Sequence, residues 1–243
     1  MIGVIKSEFV KISSFPLCMV GIIGSVFIAP TVIFFTGFDT ANIVGVLAED
    51  IVSQSLGSLM LGQVGAVILA AGLFGQEYDQ SCLRTTFLAV PKRLKLLSAK
   101  LIALTIVVMF TGIISGALSL VVGIIRFGIM VNSELVLWYM IKVICAMVSW
   151  IQISWLCAAI SVLTKTLITP IAVMLPLILG LSQMLYSFLN LAKLLPDLAT
   201  INLFLGSEVP EFLNIGGGIL VQFVWVLLFA TAATSITLYR DVR

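Results

Sequence analysis

Histidine is absent from all 243 residues, and charged residues make up only 10% of them. The first absence excludes a histidine-based metal or acid–base site. The second excludes a water-soluble surface, since globular chains carry about a quarter charged residues. It also excludes nucleic-acid binding through a basic face, because Lys and Arg total 13 against 11 Asp and Glu. No C-x-x-C pair joins the four cysteines, Cys18, Cys82, Cys145 and Cys157, which read as small buried hydrophobes. No G-x-x-x-x-G-K-[ST] loop occurs, and the run Gly216 to Gly218 lacks a following lysine, so the chain has no loop able to cradle nucleotide phosphates. What is present instead is apolar: 61% of the residues are hydrophobic, a supply that only a membrane protein can bury.

The spacing of the few charges places the spans. Crossing hydrocarbon about 30 Å thick takes about 20 residues of helix. Charge-free intervals of that length run from Lys11 to Asp39, Asp50 to Glu77, Lys100 to Arg126, Lys142 to Lys165, Lys165 to Lys193 and Glu211 to Arg240. They predict six spans near residues 17–36, 56–76, 101–125, 140–163, 167–189 and 217–239, and no alternating barrel pattern is visible. Lys6, Lys11, Arg84, Lys92, Arg93, Lys95, Lys100, Lys165, Arg240 and Arg243 fall on one side of this topology, with Arg126 and Lys193 on the other. The positive-inside rule then puts both termini in the cytoplasm, with Lys142 snorkelling at the outer start of the fourth span. The first apolar stretch reads as a retained span, since no small-residue cleavage site precedes Asp39.

Residues 1–15 carry Ile2, Ile5, Phe9 and Ile12 at helical spacing, with Lys6, Glu8 and Lys11 on the other positions. This predicts an amphipathic helix in the inner interface, and Pro16 marks the turn into the membrane. Ser58, Gly62, Ala66 and Ala70 form a small-residue stripe in the second span, and Gly112 and Gly116 another in the third. Such stripes mark close helix packing, within the chain or with a second copy. No carboxylate lies at mid-depth in any predicted span, which disfavours an ion-coupled carrier. Gln54, Gln63, Gln152, Gln183 and Gln222 read as interhelical hydrogen-bond partners. Gln152, flanked by Trp150 and Trp155, can also line a pocket, and a substrate path through Gln63, Trp150, Gln152 and Trp155 is the alternative. Residues 190–216 are too apolar for a simple outer loop and predict short helices dipping into the outer leaflet.

The connection between the second and third spans, residues 77–100, is the one inner segment long enough to fold. Asp79 or Ser81 can cap a short helix, Leu83, Phe87 and Val90 share one face of it, and Pro91 ends it. That apolar face must be covered by lipid, by the chain's own spans or by a soluble partner.

Glu77-Tyr78, Leu83-Arg84-Thr85-Thr86, Ala89-Val90-Pro91, Arg93 and Ala99-Lys100 resemble the cytoplasmic loop of type-2 ATP-binding-cassette permeases. Ser7-Glu8-Phe9 with Lys11 resembles their amino-terminal interfacial helix, so Lys6, Glu8, Phe9 and Lys11 would form that element. The resemblance implies an all-α membrane protein: one permease domain over residues 1–243, with six transmembrane helices and a coupling helix at residues 79–91 that seats in a groove of a separate ATPase. Leu83, Phe87 and Val90 would fill an apolar pocket there, Arg84 and Arg93 would meet an acidic rim, and Glu77 would pair with a cation on the interfacial helix or the ATPase. ATP and Mg would be held by that ATPase, with no cofactor and no catalytic residue in this chain. A second permease, identical or paralogous, would supply the other membrane half. Small members of this kind expel amphipathic compounds such as lantibiotics and other antimicrobial peptides, which implies a bacterial cell-membrane exporter of that class. The alternatives are a channel or ion-coupled carrier, or a membrane scaffold that only recruits a cytoplasmic partner.

Overall fold

In the computed structural model the described residues are 2–36, 47–79, 93–128 and 130–239, and they form helices and turns without a strand. The helices are α1 (Ile2–Ser14), α2 (Pro16–Phe35), α3 (Ala48–Asp79), α4 (Arg93–Phe127), α5 (Ser133–Thr164), α6 (Ile168–Pro176), α7 (Ser182–Phe188) and α8 (Ile215–Tyr239). A π-helical turn, Leu177–Leu181, joins α6 and α7 into one span. Among the described residues, six helical segments are long and apolar enough to cross a membrane, as the charge spacing predicts. Three helices are longer than predicted: α3 and α4 extend towards residues 80–92, and α5 begins at Ser133. Charges are admitted in those outer turns because they project past the hydrocarbon.

Local sequence explains the ends. Pro16 occupies the first turn of α2, where a missing N–H costs nothing. Glu49 and Asp50 lie in the first turn of α3, favourable to the helix dipole, and the Leu47 N–H donates to Asp50 Oδ2 at 2.9 Å. Lys165 closes α5 in the left-handed region (φ 56°), its N–H donating to the Ser161 carbonyl. The α6–α7 span bends where Pro176 precedes Gly180 (φ 123°), with Ser182 Oγ 2.8 Å from the Leu177 carbonyl at the bend.

The centre of the bundle is α3 against α5. In each, 72% of the apolar stretch is buried, against 17% in α8. α2 and α4 pack on one side of this pair, α6 contacts both, and α8 lies on α5. The small-residue stripes are the seams of this arrangement, so the packing is within the chain. Gly62 lies against Trp150 and Ala29, Gly112 against Met147 and Trp150, and Gly116 against Val143. Gly65 is tighter than these three: a Cβ there would collide with the backbone of Ser25. Backbone cannot yield as a flexible side chain does, so Gly65→Val should cost near the upper end of ~1–3 kcal/mol by overpacking. Gly3→Val, with open space around it, provides the control in detergent unfolding titrations. Outward-facing positions are apolar as well, Phe27, Phe110 and Leu228 among them, as a lipid solvent requires.

The bundle has a basic end, where α3 stops at Asp79 and α4 starts at Arg93, and an opposite end that carries residues 190–214. The latter form 3-10 turns at Asn190–Leu194 and Leu198–Leu203, and every residue of the second turn is buried. Asn202 holds the chain between this turn and α8 in place. Its Oδ1 accepts from the Val209 N–H at 3.0 Å, and its Nδ2 donates to the carbonyls of Val209 and Leu213 at 3.2 and 2.9 Å.

Candidate functional site

At the basic end α1 docks on α4. Sequence periodicity assigns Glu8 to the outward polar positions of α1; the structure corrects this. Glu8 is 0% exposed and lies on the buried side with Ile12, while Lys6 is exposed and Phe9 half-buried. A carboxylate tolerates such burial only when paired and hydrogen-bonded. Lys11, one turn on, donates to Glu8 Oε1 at 2.8 Å. Lys100 of α4, itself 3% exposed, approaches Glu8 Oε2 at 3.2 Å. The same ammonium donates to the Leu73 carbonyl of α3 at 3.0 Å and lies 5.5 Å from the Phe74 ring centroid. One buried charge pair therefore ties α1 to both helices that bracket residues 80–92.

The residues expected to face an ATPase, Leu83, Arg84, Phe87, Val90 and Pro91, lie outside the described residues. Glu77 occupies the last turns of α3 and Arg93 the first position of α4, and their side chains also lie outside the description. Asp79 is the last residue of α3. One boundary differs from expectation: residues 93–100 are the first two turns of α4 rather than loop. The apolar residues Leu96, Leu97 and Leu101 give this basic stretch a side that packs into the bundle, which favours continuing the helix.

A second polar cluster lies midway along α3 and α5. Gln63 Nε2 of α3 and Gln222 Nε2 of α8 both donate to Ser149 Oγ of α5, at 3.4 and 3.2 Å. Ser149 is also bonded to Thr200 Oγ1 of the buried 3-10 turn at 2.9 Å, and Gln222 donates to the Pro196 carbonyl at 2.8 Å. Gln63 and Gln222 thus act as interhelical partners, as expected from sequence. The four candidate path residues do not line one route. Trp150 is fully buried between Gly62 and Gly112 and is a packing residue. Gln152 is 8% exposed, and its Oε1 has no hydrogen-bond partner among the described residues. Trp155 belongs elsewhere: its Nε1 donates to Thr105 Oγ1 of α4 at 3.0 Å, and its ring lines an apolar pocket.

Sequence reasoning passed over Ser149, Thr200, Ser182 and Asp197. Asp197 is 3% exposed and accepts a hydrogen bond from Ser182 Oγ of α7. Burial pushes its carboxyl up to about 6, against the downward pull of Ser182 and of the backbone N–H groups of residues 197 and 198. The ordinary value is 3.8, so between 3.8 and about 6 the folded chain holds a proton that the unfolded chain has released. Stability should accordingly increase as pH falls through this window, by an amount on the order of 2–3 kcal/mol, and decrease as pH rises. Thermal unfolding in detergent at about pH 4.5 and about pH 7.5, on either side of the raised value, measures this. Asp197→Asn should flatten the dependence, and an equal slope in the variant would assign it to another group.

The family model described as ABC-2 family transporter protein matches residues 4–183, which include α1, the Glu8–Lys100 pair and the whole segment bracketed by α3 and α4. No match was found among curated proteins or among solved structures. With six apolar membrane helices and a family match over most of its length, the chain belongs to the ABC-2 transporter family, as a multi-pass membrane component of transport that is not itself catalytic.

Proposed function

We propose that this chain is the permease of an ATP-driven exporter, with residues 79–91 as the coupling segment on which a separate ABC ATPase seats. The observation that carries this reading is the Glu8–Lys100 pair. It fastens the interfacial helix to α4 and, through the Leu73 carbonyl, to α3 at the very end where the segment emerges. Packed helices transmit displacement, and α3 runs through the centre of the bundle, so a push on the segment reaches the mid-membrane amides around Ser149. The basic end is cytoplasmic in this reading, as are both termini. Leu83, Phe87 and Val90 fill the ATPase groove, Arg84 and Arg93 meet its acidic rim, and the ATPase holds ATP and Mg. Residues 190–216 re-enter the membrane from outside, a reading supported by the contact of Thr200 with the middle of α5.

The substrate class is amphipathic peptide, of the antimicrobial or lantibiotic type, with bacteriocin immunity as the cellular role. Support comes from the mid-membrane interior, whose Gln63, Ser149 and Gln222 offer neutral hydrogen bonds and no fixed charge. A second permease copy or paralogue completes the pathway. Proteoliposomes holding this chain with a candidate ABC ATPase from the same genome test the proposal. A fluorescent cationic amphipathic peptide should move across the bilayer only with hydrolysable ATP, and movement independent of ATP would refute it.

A further inference from the structure

Both α4 and α8 pack on α5 but not closely on one another. The gap between them is a half-open cavity of about 70 Å³ towards the basic end, floored by Phe74 of α3 and walled by Leu97, Leu101, Trp155, Ala159 and Ala230. Alanines leave the space where larger side chains would close it. Trp155 is held upright by its bond to Thr105, so one wall is rigid. The next residues in sequence, Ile102 on α4 and Leu227 on α8, are exposed, so apolar surface facing the bilayer continues beside the cavity.

Its chemistry restricts the occupant. A bound water needs two to four polar partners. The Trp155 N–H is already used, which leaves the hydroxyl of Thr234 as the polar group of the lining. A peptide segment would bring N–H and C=O groups into a space that cannot bond them, at several kcal/mol each. A hydrocarbon chain brings none, and the lining from Trp155 to Val162 offers it a channel about 10 Å long at the helical rise. We propose that the cleft between α4 and α8 is a binding site for one acyl chain of a membrane phospholipid in the leaflet at the basic end. The lipid wedges α4, the helix that follows residues 80–92, apart from α8 and sets the spacing that any movement of α4 must change. This site is independent of the exporter reading.

Photolabelling tests it with the full chain in vesicles of phosphatidylcholine and phosphatidylglycerol, using phosphatidylcholine with a diazirine in one acyl chain and mapping adducts by mass spectrometry. Labelling at Trp155 and Leu101 should exceed that at Phe110, which is 65% exposed on α4 and reports ordinary annular lipid. Ala159→Leu fills the cleft and should bring the excess down to the annular level while leaving Phe110 labelling intact. Ala230→Leu, which fills it from the other wall, serves if the first variant loses the Phe110 pattern, and the wild-type comparison decides alone if both do. Cleft labelling no greater than at Phe110 would overturn the proposal, as would an excess that survives the filling substitution. A diazirine-bearing amphipathic peptide that labels Trp155 in place of the lipid would overturn it too.

Discussion

Glu8→Ala should destabilise the folded chain by about 3–5 kcal/mol, measured by unfolding titration in mixed micelles. The size reflects the charge that the substitution leaves behind. Lys100 is 3% exposed and enclosed by α1, α3 and α4, so the substitution takes a close carboxylate away from an ammonium that water does not reach. The Leu73 carbonyl and the Phe74 ring stay in contact with the ammonium, and each stabilises it less than a carboxylate does. Lys11→Ala removes the other cation from the same carboxylate, yet Lys11 is far more exposed (32%), and its loss should cost below about 1 kcal/mol. The double substitution Glu8→Leu with Lys100→Met replaces both charges by apolar groups and should recover most of the loss, since burying the pair carries its own desolvation cost. Equal losses for Glu8→Ala and Lys11→Ala would mean that α1 is not anchored by a buried charge.

Trp150→Ala should cost a comparable ~3–5 kcal/mol. Its ring fills the seam between α3 and α4, with Gly62 on one side and Gly112 on the other, and no part of it reaches solvent or lipid. Glycine at both positions supplies no side chain of its own to refill the vacated volume, so the cavity term is large even if Met147, beside Gly112, relaxes towards it. Lipid cannot substitute, because the site lies inside the bundle. Trp155→Ala provides the contrast. Its ring lines a cleft already open, so less packing disappears and the loss should be clearly smaller. A loss below about 1 kcal/mol for Trp150→Ala would contradict the packing described for the central seam.

Spans were readable from charge spacing because hydrocarbon excludes charge whatever the tertiary structure, so six intervals translate directly into six crossings. Their ends were not, since α3, α4 and α5 continue beyond the hydrocarbon, where composition no longer distinguishes helix from loop. The stripe of Ser58, Gly62, Ala66 and Ala70 announced close packing, but only the fold shows that the neighbours are α2 and α5. Glu8 illustrates the limit of amphipathic reasoning. Periodicity sends a charge outward, and what turns it inward is a lysine far along the chain that no local pattern connects to it. Ser149, Thr200 and Asp197 escaped notice for a related reason. Each is an ordinary residue in sequence, and it gains a role only when residues 190–214 fold back on α5 and α7.

In the proposed reading force enters through residues 79–91 from a separate nucleotide-hydrolysing subunit. Phe87 falls on the apolar face expected for that segment and outside the six apolar stretches in sequence, so Phe87→Asp should leave insertion and folding unchanged. Affinity purification from membranes co-expressing a candidate ABC ATPase from the same genome measures the consequence. The wild-type chain should bring the ATPase with it and Phe87→Asp should not, whereas equal recovery of the ATPase with both would contradict the account.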